Sequence, residues 1–195
     1  MPSDALVAWQ TERMPRLQMV EADCLHLEAL HAAVPNRVQE FIRSYAVLLS
    51  AEFQGFCRDL HDECAESLVD SVNPPALQAV LRSQCRYGRK LDTGNPNPGN
   101  LGADFNRYLF EFWDEVLVVD PTNAARKARL QTFTVVWRNA IAHHDYDPAK
   151  LGGTPNLTIP QVRDWRTDCD VLAIAFDQTM RDQLQVTTGV SPWPP

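Results

Sequence analysis

The sequence predicts an all-α protein, an up-down helical bundle of about five to seven helices. Apolar residues recur every three or four positions between clear breaks. No segment alternates convincingly between apolar and polar residues, although Val116–Val119 could form a short strand. Hydrophobic residues make up 45% of the 195 positions, which is enough for a substantial core. We therefore expect a single helical domain over residues 1–195, with a short extended tail at 189–195.

The longest predicted helix runs from Asn36 to Val69. Its apolar residues keep helical spacing for about 30 residues, a length that spans a domain at about 1.5 Å per residue. Before it, Ala5–Ala33 predicts one or two helices, limited by Pro15. After it, shorter helices are predicted at Pro75–Leu91, Ala103–Leu117, Thr122–His144 and Pro160–Leu184. Two stretches have the composition of loops, Asp92–Gly102 and Asp147–Pro160.

Composition and charge exclude several classes of protein. The formal net charge is −7, from 18 Lys and Arg against 25 Asp and Glu, which argues against a protein that coats nucleic acid without specificity. The sequence has no run of about 18 apolar residues, so no transmembrane helix is predicted. The N-terminal residues lack the basic and apolar regions of a signal peptide. Five cysteines without a CxxC pair indicate reduced thiols, as in the cytoplasm.

The segment with the most chemistry is Trp137–Pro148, WRNAIAHHDYDP. It places several hydrogen-bonding side chains at the end of a predicted helix. Asn139 and His143 are four residues apart and share a helix face. Arg138 comes five residues before His143, so on a continuous helix these two lie about 140° apart. They reach one ligand only if the arginine wraps round, if the helix ends near His143, or if a second subunit supplies one of them.

This segment resembles the HEPN family (higher eukaryotes and prokaryotes nucleotide-binding), in particular its bacterial RiboL-PSP-HEPN/MAE-like branch. The family hallmark is an arginine, four to six variable residues and a histidine, and Arg138–His143 fits it with four intervening residues. Ser44–Glu63 is also similar to the long helix of bacterial members, and the resemblance covers roughly residues 37–184 in helical order. It implies a HEPN-like bundle that dimerises and places two copies of the motif in one cleft.

The resemblance implies a metal-independent endoribonuclease of a bacterial defence or toxin–antitoxin system. RNA would be the substrate, a homodimer the working form, and an antitoxin protein a further partner. The neighbouring 2′-OH attacks the phosphate in such chemistry, so no metal or other cofactor is expected. His143 would move protons, Arg138 would hold the charged phosphorane, and Asn139 would orient the histidine or hold the phosphate. Degenerate members exist, so a non-catalytic module that binds nucleotide, RNA or a protein partner is the alternative.

Two residues after the motif are predicted to contact RNA. His144 follows the motif histidine directly, and the ring of Tyr146 offers a surface on which a base can stack. Asp145 stands where some family members carry a tyrosine, so a function tied to that tyrosine is not carried over.

Two segments of the chain contain no acidic residue, Ser71–Leu91 and Pro121–His144. The second contributes three more predicted RNA contacts, Arg126, Lys127 and Arg129. The cations of both segments either line a phosphate-binding groove or form salt bridges with acidic helices such as Asp59–Asp70.

A metal-dependent phosphohydrolase is a weaker alternative. His144-Asp145 is similar to the dipeptide of HD phosphohydrolases, which would need His61 upstream as a further ligand. The downstream ligand would be an aspartate, Asp168, Asp170 or Asp177.

A zinc site is the other metal alternative. Cys57, His61 and Cys64 follow i, i+4, i+7 spacing, and Cys24 or His26 could add a fourth ligand. Both Cys57 and Cys64 also belong to the apolar stripe of the long helix, so core packing is the preferred interpretation.

Overall fold

The computed structural model describes residues 1–30 and 34–193. The described residues are 78% helical and contain no strand, which confirms the all-α bundle. In chain order the helices are α1 (Asp4–Ala8), α2 (Met14–Leu30), α3 (Pro35–Asp70), α4 (Pro75–Arg86), α5 (Pro98–Phe105), α6 (Phe112–Val119), α7 (Asn123–Gln131), α8 (Arg138–His143) and α9 (Ile159–Thr188). Short 3₁₀ turns cover Lys90–Asp92 and Asn106–Tyr108. No helix in these two ranges is both long and apolar enough to cross a membrane.

The core forms between α3 and α9, the two longest helices, with 36 and 30 residues. Phe53 of α3 packs on Phe176 of α9 with ring centroids 6.0 Å apart, and Trp9 closes over Phe53 at 5.8 Å. Burial of each such side chain contributes about 1.5–3 kcal/mol. The predicted helix at Asn36–Val69 is therefore confirmed with bounds extended by one residue at each end, since Pro35 is acceptable in a first helical turn.

The N-terminal helices run through Pro15 rather than stopping there, so the predicted limit was wrong. The segment Trp9–Arg13 forms a π-helical turn between α1 and α2, and Met14 donates its N–H to the Trp9 carbonyl. A wider turn directly before a proline relieves the crowding that would otherwise interrupt the helix. The predicted end at Ala33 lies outside the described residues.

The single helix predicted at Ala103–Leu117 was also wrong, because the chain breaks between α5 and α6. Leu109 adopts a left-handed conformation with φ of 70° and is largely exposed. Asn106 stabilises the break from before it through two bonds to residues after it. Its Oδ1 accepts from the Phe112 N–H at 3.0 Å, and its Nδ2 donates to Glu111 at 2.7 Å. The strand considered at Val116–Val119 is helical.

The predicted helix Thr122–His144 is present as α7, a π-helical turn at Thr132–Trp137, and α8. Its inner face packs on α9 through the stacked rings of Phe133 and Trp165, 4.8 Å apart. The helix ends at Thr188, so the predicted tail is not helical, and Trp193 within it is buried against the core. Residues 194 and 195 lie outside the described residues.

Candidate functional site

The three predicted catalytic residues lie on α8, the short last part of the α7–α8 helix. Arg138 begins α8 and His143 ends it. His143 is exposed, whereas Arg138 and Asn139 are half-buried. The exposed arc of α8 runs from Arg138 at one edge to His143 at the other, about 140° away at about 100° per residue. Helix geometry within one protomer thus brings Asn139 and His143 together and leaves Arg138 on the opposite edge.

A cavity of about 350 Å³ opens beside this helix. Apolar groups form much of its wall, and four polar side chains complete it. Its lining is Val135, Val136, Ala140 and Leu151, with Asn139, His143, Asp145 and Lys150. Arg138 is outside the lining.

Asp145 reaches the cavity because of the way α8 ends. His144 takes a left-handed conformation with φ of 54°, and Asp145 donates its N–H back to the Ala140 carbonyl at 3.0 Å. This bond and that conformation form a Schellman motif, with histidine where glycine is more common. The turn places Asp145 next to His143 at the rim.

Lys150 reaches the same rim through the following turn. Asp147 organises that turn, accepting from the Ala149 N–H at 3.0 Å on its side chain. Lys150 then donates from its Nζ to Asp145 Oδ2 at 2.6 Å, and the adjoining Leu151 is buried. The hydrogen bond and charge of Lys150 hold the pKa of Asp145 below its usual value, and the charge of His143 adds a smaller lowering of that pKa.

Asn139 is fixed by a second asparagine. The Nδ2 group of Asn95 donates to Asn139 Oδ1 at 3.2 Å and to the Thr134 carbonyl at 3.0 Å. The Asn139 Nδ2 group keeps no hydrogen-bond partner within the described part of the chain, so it remains a free donor at the cavity.

Tyr146 is less open than its predicted role as a stacking surface requires. The Arg43 guanidinium lies 3.7 Å from its ring centroid, a cation–π contact that covers one face. The ring of His144 approaches Tyr146 edge-on at 6.2 Å and is itself exposed. A base could therefore meet His144 more readily than the covered face of Tyr146.

The three cations predicted as RNA contacts on α7 lie away from the cavity, about 20–25 Å from His143 along the helix axis. Arg126 donates to Asp120, 3.0 Å away, at the start of its own helix. Lys127 lies over the Trp113 ring at 4.8 Å, and Arg129 makes two hydrogen bonds to Asp168.

In the other acid-free segment, Ser71–Leu91, the arginines form salt bridges with α3, the second of the two alternatives. Arg82 and Arg86 pair with Glu66 of α3, and Arg86 and Arg89 pair with Asp62. Cations that already face carboxylates do not form an open phosphate groove, so the positive surface predicted from charge counts is largely neutralised here.

The zinc alternative gives way to core packing. Cys57, His61 and Cys64 are fully buried, and His61 lies against the rings of Phe105 and Tyr108. All five cysteines are free thiols in the described chain. Residues 1–30 and 34–193 contain no group of three or more His, Cys, Asp or Glu side chains able to hold a metal, around His144 or elsewhere.

Sequence reasoning missed Lys150 and Asn95 as members of the site. Asn95 comes from a loop far earlier in the chain, whereas Lys150 follows the motif closely, in a loop where the turn that begins at Asp147 offered the local signal. No protein-family model, curated protein or solved structure matches this chain.

Proposed function

We propose that this protein is an endoribonuclease that cleaves RNA without a metal ion, through Arg138 and His143, in a bacterial defence or toxin–antitoxin system. One observation carries the proposal. His143 is exposed and Arg138 is half-exposed, and neither side chain has a hydrogen bond or ion pair within the described residues. A histidine or arginine kept for helix capping or packing would be engaged by its own protomer.

The chemistry follows from the two side chains. The 2′-OH of a ribose attacks the adjacent phosphorus, forming the O2′–P bond and breaking the P–O5′ bond. One imidazole accepts the 2′-OH proton, and an imidazolium gives a proton to the departing 5′ oxygen. A guanidinium stabilises the charged phosphorane through paired N–H donors.

The geometry of α8 favours a dimer for this reaction. Arg138 and His143 lie about 140° apart on one helix, so a single protomer does not aim both at one phosphate. Two copies that face each other across α8 would supply the arginine of one and the histidine of the other. They would also provide two histidines, one for each proton transfer.

The second candidate is a non-catalytic module that binds nucleotide, RNA or a protein partner on the same surface. The position of Arg138 outside the cavity favours it, because a binding surface does not need both residues at one phosphate. This alternative predicts that His143→Ala still binds RNA, and that neither the unsubstituted protein nor the variant cleaves it.

The test is cleavage of a labelled RNA by purified protein in EDTA. We expect His143→Ala and Arg138→Ala each to lower the rate by about 100-fold or more. The matched controls are His26→Ala, an exposed histidine on α2, and Arg181→Ala, on the distal part of α9. An uncleaved RNA, or equal losses in the controls, would remove the enzymatic proposal.

A mixing experiment tests the shared site. Each inactive variant keeps one intact half of the motif, so mixing Arg138→Ala with His143→Ala protein should restore part of the activity. A mixture as inactive as its components, although the variants exchange subunits, would contradict a site that needs only the arginine of one protomer and the histidine of the other.

A further inference from the structure

We infer that the cavity beside α8 holds a nucleotide of the RNA, and that Lys150 binds its phosphate in exchange for Asp145. This inference rests on the proposed ribonuclease function and adds a residue that the motif does not contain. Lys150 becomes the phosphate-binding cation on the His143 edge of α8, opposite Arg138.

The shape and lining of the cavity suit a nucleotide. Its volume of about 350 Å³ falls within the range of about 300–1,000 Å³ typical of small-molecule sites. Val136 and Leu151 contribute apolar wall against which a base can pack, while Asn139 and His143 place donors at the same opening. Such sites combine an apolar surface with a few convergent polar groups.

The ammonium of Lys150, at the rim of the cavity, can exchange its carboxylate partner for a phosphate. The side chains of Lys150 and Asp145 are 62% and 52% exposed, and exposed ion pairs contribute little to stability. A backbone phosphodiester of RNA carries one negative charge on two non-bridging oxygens, as the carboxylate does, and the neighbouring phosphates of the strand add to its attraction for the ammonium. Lys150 can therefore turn from Asp145 to a ligand without exposing or breaking the core.

The three cations of α7 have other partners, and Lys127 lies over the Trp113 ring. Arg129 is tied to Asp168 by two hydrogen bonds, and Arg126 to Asp120 and neighbouring oxygens. Among the residues that the structure describes, Lys150 pairs only with Asp145, an exposed carboxylate that itself belongs to the cavity lining. Because the α7 cations are engaged, we expect the RNA backbone to cross α8, with one phosphate near Arg138 and another near Lys150.

The test measures binding without cleavage. The probe is a fluorescent oligoribonucleotide methylated on every 2′ oxygen, which lacks the attacking nucleophile, and the readout is anisotropy. Lys150→Gln should weaken binding by about three- to tenfold and lower the salt slope by about one unit. Asp145→Asn removes the competing carboxylate and should strengthen binding by about twofold or more.

Arg181→Gln is the charge-matched control, because Arg181 also pairs with an exposed neighbour, Asp182, far along α9. Binding by Lys150→Gln that equals this control would overturn the inference. If Lys150→Gln and Asp145→Asn weakened probe binding equally, the inference would also be overturned. That result would mean that the ion pair only stabilises the loop. An absence of probe binding to the unsubstituted protein has the same consequence.

The two proposals fail separately. If cleavable RNA is cut at the same rate by the unsubstituted protein and Lys150→Gln, the ribonuclease stands and the nucleotide site falls. If the probe follows the expected order of affinities but cleavable RNA stays intact, the nucleotide site stands and catalysis falls.

Discussion

Acidification should destabilise the fold through one buried histidine, His61. The ring is fully buried on α3 against Phe105 and Tyr108, and neither nitrogen has a hydrogen-bond partner in the described chain. Burial, together with the smaller effect of the nearby charge of Arg89, lowers the pKa of His61 from 6.5 to about 4. The nearby carboxylate of Asp62 opposes the shift, whereas Arg107 supports it.

The sign and size of the effect follow from linkage. An unfolded chain binds a proton on His61 below about pH 6.5, whereas the folded chain binds it only near pH 4, so stability is lost as the pH falls between these values. The free energy of unfolding should drop by about 2 kcal/mol from pH 7 to pH 5 through this residue alone.

Urea denaturation followed by circular dichroism at several pH values measures this loss, with His61→Leu as the comparison. Every other ionisable group is common to the two proteins, including Glu63 and Asp177, whose pKa values are raised by burial. Only the difference in pH dependence reports on His61, whatever the baseline stability of the variant. Parallel curves for the two proteins would refute the reasoning.

Two further substitutions test local packing. A Cβ atom on Gly55 would collide with the Arg13 guanidinium, which donates to the buried Glu52 at 2.9 Å, so Gly55→Ala should destabilise by about 1 kcal/mol despite its better helix propensity. In an Arg13→Ala background the same change should instead stabilise by about 0.5–1 kcal/mol, and destabilisation there by urea denaturation would contradict the steric account. His144→Gly should stabilise by about 0.5–1 kcal/mol because φ is 54° at that position. A lower unfolding midpoint for that variant would show that the contact with Tyr146 outweighs the backbone strain.

The long helices were predictable because their signal is local and repeated. In α3, apolar residues from Ile42 to Leu60 recur at helical spacing, and each buries the same face. The break at Leu109 gave no such signal, since no glycine or proline marks it. Asn106 is what stabilises the break, through side-chain bonds to residues that follow it.

The site was predictable only in part. Helical spacing placed Asn139 and His143 on one face, and both line the same cavity. Charge counts suggested that Arg129 lay in a basic groove, but tertiary packing brings Asp168 against it. The turn at Asp147 is a local signal for a loop that folds back after α8, but the sequence did not show that this loop brings Lys150 to the same cavity as Asn139 and His143.

The central claim is that Arg138 and His143 catalyse attack by the 2′-OH of RNA. Analysis of the ends of the cleavage products, formed by the purified protein in EDTA, tests it most directly. The mechanism predicts 2′,3′-cyclic phosphate and 5′-OH ends that disappear with His143→Ala and persist with His26→Ala. Products with 5′-phosphate ends, or RNA that stays intact, would contradict it.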